Sequence, residues 1–209
     1  MNFDNEINIQ LQNYLIKQGV ISNHILWHTQ TGGRTNKVWR FVGEEDYICK
    51  LYLETGNNPL FNNTPEEEYK CLLWLEGSDI APKPYKFLKT PFGKVLLYNY
   101  IKGETWSHDV ETVSELLTRI RKHKYPKGLR ILSNLPSDIK QTGLEIINKL
   151  NNYHKNKLIK ICPDVSISDI EPVLLHTDVV PGNLILGNKG LRLIDWQCPA
   201  IGDPIVDIM

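Results

Sequence analysis

Apolar positions along this chain alternate between helical spacing and short runs. Ile7, Leu11, Tyr14 and Leu15 share one face of a helix over residues 6–18, with Gly19 as its stop. ILWHTQT (25–31), KVWRFV (37–42) and YICKLYL (47–53) then read as strands, joined by the turns GGRTN (32–36) and Glu44-Glu45-Asp46. Helical spacing returns after NTPEEE, where Thr64 is the expected N-cap, Pro65 the first helical residue and Glu67 the far side of a capping box. Gly77 closes that helix, and SDIAPKPYKFL (78–88) turns into a fourth strand. Val95–Tyr100 is another strand, broken by Ile101-Lys102-Gly103-Glu104. A helix from Ser107 to about Lys122 carries Val110, Val113, Leu116, Leu117 and Ile120 as its stripe. A further helix is predicted from Ser137 through Ile146, Ile147 and Leu150 to about His154, with 156–172 irregular.

The densest chemistry lies in 176–195, HTDVVPGNLILGNKGLRLID. LLH (174–176) leads in, Pro181-Gly182 breaks the chain, and Leu184–Leu186 and Leu191–Ile194 flank the turn Asn188-Lys189-Gly190. Such a hairpin brings Asn183 near Asp195, an oxygen pair suited to a hard cation such as Mg2+. Asp178 is placed to face a substrate hydroxyl as general base. His176 is read as a brace for the loop backbone. A second reading, with His176 and Asp178 as transition-metal ligands, finds no further His or Cys at supporting spacing. In the second helix, Glu68, Leu72 and Leu75 share a face that must be buried, so Glu68 needs a cation; Lys50 is the candidate, with Glu67 as the second choice for the carboxylate.

The spacing H-x-D-x-x-x-x-N, followed by a strand and Asp, resembles the catalytic loop and metal site of the protein-kinase-like fold. Thr177 stands where protein kinases have Arg, and Asp195-Trp196-Gln197 replaces D-F-G. With LIDWQCPAIGDPIVDI, the pattern is similar to the aminoglycoside phosphotransferase and choline kinase superfamily, whose members phosphorylate small hydroxylated molecules. The resemblance implies an α+β, two-lobed protein-kinase-like fold: an antiparallel sheet plus helix over 1–100, and a mainly helical part with the catalytic hairpins over 101–209. It implies ATP and Mg2+ as cofactors, with Asp178 and His176 in the catalytic loop and Asn183 and Asp195 on the metal. Gly32 and Gly33 would approach the phosphates, Lys50 would hold them and Glu68 would hold Lys50. The adenine edge would meet the backbone near Asn99–Ile101. Asp203 is expected to hydrogen-bond the catalytic loop, and Asp207 to sit in the next helix. Superfamily members usually continue with several more helices after this point, so the expectation is a truncated form or an unusually small member. The alternative from another class is a catalytically silent nucleotide-binding protein or an inactive fragment.

Composition excludes rather than selects. The 209 residues hold 24 Lys+Arg against 24 Asp+Glu, a formal net charge of zero, which gives no footprint for nucleic acid or a membrane surface. No apolar run approaches the length of a membrane span. Cys49, Cys71, Cys162 and Cys198 form no C-x-x-C pair, and the first ten residues are polar and acidic, so a cytoplasmic protein is expected. The basic loop 122–130 is expected to be a solvated surface. The acceptor is not readable: an aminoglycoside would ask for acidic walls and choline for aromatic ones. Oligomeric state is equally unreadable.

Overall fold

The computed structural model describes residues 3–30, 35–53, 63–106, 109–132, 136–161 and 170–208. It has an α+β, protein-kinase-like architecture. The first part runs α1 (Phe3–Lys17), β1 (Leu26–Thr29), β2 (Asn36–Val42), β3 (Tyr47–Tyr52), α2 (Pro65–Trp74), β4 (Pro84–Thr90) and β5 (Gly93–Asn99). Its strands make one antiparallel sheet in the order β1-β2-β3-β5-β4. The period of two along β3 and β5 sorts their side chains onto opposite faces. Cys49, Leu51, Val95 and Leu97 pack with Leu11 and Leu15 of α1. Ile48, Tyr52, Leu96 and Tyr98 join Cys71, Leu72 and Leu75 of α2. The same alternation sends Lys50 to the α2 side.

The second part contains β6 (Gly103–Thr105), α3 (Val110–Lys122), β7 (Arg130–Ile131), α4 (Pro136–Ile147), α5 (Asn152–Ile161), β8 (Val173–Leu175), β9 (Leu184–Gly187), β10 (Gly190–Leu193) and β11 (Ala200–Gly202). Two small sheets, β10-β9-β6 and β7-β11-β8, set the loops that follow them. Gly103 is needed where β6 meets β9, because a Cβ there would stand 2.3 Å from the Leu186 carbonyl oxygen. Leu116, Leu117 and Ile120 of α3 pack with Leu174, Leu191, Leu193 and Trp196 in the core that also holds α2.

The structure departs from the sequence expectations at several helix ends. No side-chain bond from Thr64 caps α2; its carbonyl accepts from the Glu67 and Glu68 N–H groups instead. Glu67 does not close a capping box, since its half-buried carboxylate lies within the field of Arg130. The cap of α3 is Asp109, which accepts from the Glu111 and Thr112 N–H groups, and Val110 is exposed rather than part of the stripe. The predicted start at Ser107 lies outside the described residues. The single helix expected to His154 is two, because the Asn151 side chain accepts from His154 N–H and starts α5 afresh. That helix runs to Ile161, into the stretch expected to be irregular. In the basic loop Lys122, Lys124 and Lys127 are exposed as expected, while the carbonyls of Lys124 and Lys127 accept from the Trp74 indole and the Lys70 ammonium of α2.

Candidate active site

Lys50 is the meeting point of the two parts. Its ammonium lies 2.8 Å from Glu68 Oε2 of α2 and also pairs with Asp195, which follows β10. The Tyr52 hydroxyl donates to the same Glu68 oxygen, while Glu68 Oε1 is buried with no hydrogen-bond partner among the described residues. Lys50 and Glu68 are 2% and 1% exposed, and the Asp195 side chain is 34% exposed. Burial works against the Lys50 ammonium, but the two carboxylates outweigh it and hold its pKa above the ordinary value. For Glu68 burial wins over Lys50 and the pKa is raised. Burial opposes ionisation of Asp195 as well, yet there Lys50 prevails and the pKa is lowered. Of the three glutamates that open α2, Glu66 pairs with Lys94, Glu67 feels Arg130 and Glu68 takes Lys50.

The second cluster is the loop between β8 and β9. Thr177, just before Asp178, has φ 69°, and Asp195 has φ 64°, left-handed backbone that is uncommon for either residue type. Thr177 is held there from three sides. Asp207 accepts from the His176 N–H at 2.9 Å and the Thr177 N–H at 2.7 Å, and the Thr177 hydroxyl donates to the Cys198 carbonyl at 2.8 Å. Asp203, the expected partner of this loop, instead caps the final 3-10 turn through the Ile205 N–H. His176 is fully buried; its Nδ1 accepts from the Asp178 N–H at 3.2 Å and its Nε2 lies 2.9 Å from the Ile194 carbonyl. That pair of contacts requires the neutral Nε2–H form. Burial lowers its pKa in the same direction. His176 is therefore a brace between the loop and the strand that precedes Asp195, and not a group facing a substrate.

Asn183 closes the loop by donating from Nδ2 to the Asp178 carbonyl at 2.9 Å and carboxylate at 3.0 Å. The Asn183 carbonyl accepts from Ile194 N–H at 2.8 Å, which ties it to the residue before Asp195. With Nδ2 engaged, Oδ1 is the atom Asn183 can offer a cation. One lysine shared by Glu68 and Asp195 leaves that group with an excess negative charge, and Asp195 stays ionised. Asn183 Oδ1 and the Asp195 carboxylate are oxygen donors of the kind that would suit a hard cation. Near Asn99–Ile101, the Asn99 N–H already donates to Lys83 O and the Tyr100 N–H to Asp46 O. Gly32 and Gly33 lie outside the described residues.

Of the residues expected at the site, the structure brings Lys50 together with Glu68 and Asp195, and Asp178 together with Asn183; the contacts of Asp207 and Tyr52 were not foreseen. Both were visible only as one more acidic residue and one more strand aromatic.

A strand lysine paired with a helix glutamate, followed by the loop before β9 and the Asp after β10, is the arrangement of a protein-kinase-like fold. Comparison with known proteins agrees. Residues 133–209 match the phosphotransferase enzyme family. Thiamine kinases of Escherichia coli are 27% identical over 142 residues, covering 62% of this chain and 46% of theirs. The chain thus spans about half the length of the curated relatives it matches. In structure it is similar to aminoglycoside 2'-phosphotransferase-IIIa bound to GDP (TM-score 0.67, 15% identity, 95% of this chain and 75% of that one). It is also similar to choline kinase from Cryptosporidium parvum (TM-score 0.63, 16% identity, 98% and 67%). Spectinomycin phosphotransferase with ADP and spectinomycin gives a TM-score of 0.63 at 17% identity, covering 95% and 71%. The C-terminal part of the sequence is thus similar to the phosphotransferase enzyme family, and the fold is shared with aminoglycoside phosphotransferases and choline kinase.

Proposed function

We propose that this chain transfers the γ-phosphoryl group of ATP to a hydroxyl of a small molecule, as a cytoplasmic kinase whose two lobes, 1–100 and 101–209, meet at the Lys50 cluster. The observation that carries this reading is the Lys50 ammonium bridging Glu68 and Asp195 from two different parts of the chain. Phosphoryl transfer needs alignment and charge neutralisation more than covalent chemistry. Lys50 is the residue to hold the α- and β-phosphates, and Glu68, kept in place by Tyr52, keeps Lys50 extended toward them. Asn183 Oδ1 and the Asp195 carboxylate would hold Mg2+, which would neutralise phosphate charge. Asp178 accepts or orients the proton of the attacking hydroxyl, with Asn183 fixing its carboxylate. We assign the adenine edge to the Ile101 N–H, since the Asn99 and Tyr100 N–H groups are engaged among the described residues. Gly32 and Gly33 are proposed to cover the phosphates.

Thiamine is the first acceptor to test, because thiamine kinases are among the relatives matched in sequence. Choline and aminoglycosides follow from the structural neighbours. The test is a coupled ADP-release assay over these acceptors with Mg-ATP. Transfer to one of them, abolished by Asp178→Asn and made less metal-responsive by Asp195→Ala, is the expected result. Mg-ATP binding with no transfer to any acceptor would replace this reading with a silent nucleotide-binding protein. No helix among the described residues is long and apolar enough to cross a membrane.

A further inference from the structure

Gln197, two residues past Asp195, reaches the other part of the molecule. Its Oε1 accepts from Asn36 Nδ2 at 3.0 Å across 161 residues of sequence. Asn36 opens β2 and is 5% exposed. The same Nδ2 donates to Asn63 Oδ1 at 2.9 Å, and Asn63 Nδ2 returns a bond to Asn36 Oδ1 at 2.8 Å. The Leu53 N–H donates to that oxygen as well, at 3.3 Å. Both polar ends of the buried Asn36 amide are therefore engaged. Asn63 precedes Thr64, at the start of the helix that carries Glu68.

We infer that Asn36, Asn63 and Gln197 form a three-amide clasp that sets the spacing between the start of β2, the N-terminus of α2 and the Asp195 loop, with Gln197 as a positioning residue for nucleotide binding. The last two are segments that the phosphate site draws on, so the inference rests on the phosphotransferase reading for its functional consequence. Its structural core does not. Lys50 of β3 draws α2 and the Asp195 loop together by charge, but a charge pair tolerates a range of angles. Planar amides bonded edge to edge do not. A buried amide that loses a partner also keeps its desolvation penalty, so the clasp is expected to open rather than to slacken.

The experiment uses the full chain with Gln197→Met, which keeps side-chain length and removes the acceptor, and Gln197→Glu, which keeps an acceptor oxygen. Amide hydrogen exchange of 36–42 should quicken by about tenfold in Gln197→Met and return toward wild type in Gln197→Glu, while the 184–193 hairpin is unchanged. The KM for Mg-ATP should rise about tenfold in Gln197→Met with a smaller change in kcat. Asn63→Ala removes the other partner of Asn36 without touching the Asp195 loop and should quicken the same strand. Combined with Gln197→Met, it should add less than its single effect. Exchange of 36–42 in Gln197→Met equal to wild type, or fully additive effects in the double variant, would overturn the clasp. If the wild-type chain transfers phosphate to no acceptor, the phosphotransferase reading falls, and the exchange comparison alone then decides the clasp.

Discussion

Compare the Lys50 cluster with the Asp178 loop. Lys50 and Glu68 are almost completely buried, in a cluster assembled from side chains of β3, α2 and the loop after β10. Asp178 is half-buried, and Val180 beside it is 43% exposed. Its place is set by backbone: Asp207 takes two successive N–H groups, His176 takes the next, and Asn183 returns to the Asp178 carbonyl. At one end the charged side chains hold each other, so the site is also a piece of the core. At the other a scaffold holds the loop, and the acting side chain carries little of the fold.

Substitutions should separate the two ends. The largest effect on rate belongs to Asp178→Asn, with a loss of transfer of about a thousandfold, while the urea midpoint and Mg-ATP affinity stay within error. Loss of nucleotide affinity in that variant would erase the contrast. Lys50→Met leaves Glu68 buried without its cation, and a stability loss of about 3–5 kcal/mol in urea unfolding is expected together with loss of nucleotide binding. The double variant Lys50→Met/Glu68→Leu should recover most of the stability and none of the binding. Asp207→Ala removes two bonds to a charged acceptor, with an expected loss of about 3 kcal/mol. Its kcat should fall far more than its Mg-ATP affinity, a split that calorimetry and steady-state kinetics would show.

The smallest effect is the pH dependence contributed by His176. Burial depresses its pKa, so below about 6.5 the unfolded chain binds a proton that the folded chain refuses. Its contribution to stability is complete above that value and is lost as pH falls through the lowered folded pKa. Urea midpoints for wild type and His176→Gln across pH 5 to 8 should therefore differ in slope only below neutrality.

The legible parts of this molecule were those where one segment of sequence carries its own spacing. His176, Asp178, Asn183 and Asp195 fall within one continuous loop and hairpin, and Glu68 declares itself by sharing a helix face with Leu72 and Leu75. Lys50 needed more than its strand, which alone reads as a solvated edge lysine; its order between the glycine turn and the glutamate helix singled it out. What could not be read was closure across long stretches of chain. Asp207 meets Thr177 from 30 residues away, and nothing in GDPIVDI distinguishes it from Asp203. Gln197 could be named as a departure from D-F-G, but its partner Asn36 lies beyond any local pattern. Helix ends failed for a nearer reason. Thr64 and Glu67 satisfy a capping rule that Arg130 and the buried start of α2 override, while Asn151 satisfies one that breaks a continuous apolar stripe.

Thr177 sets two demands on one position against each other. A β-branched residue held at positive φ is a local weakness, about 1–2 kcal/mol relative to Gly or Asn in such backbone. Selection for heat tolerance alone would favour those two replacements. Each would also discard the hydroxyl that ties the loop to Cys198. Heat-resistant clones carrying a change at 177 should then be poorer catalysts, with the orientation of the neighbouring carboxylate given up for a more comfortable chain.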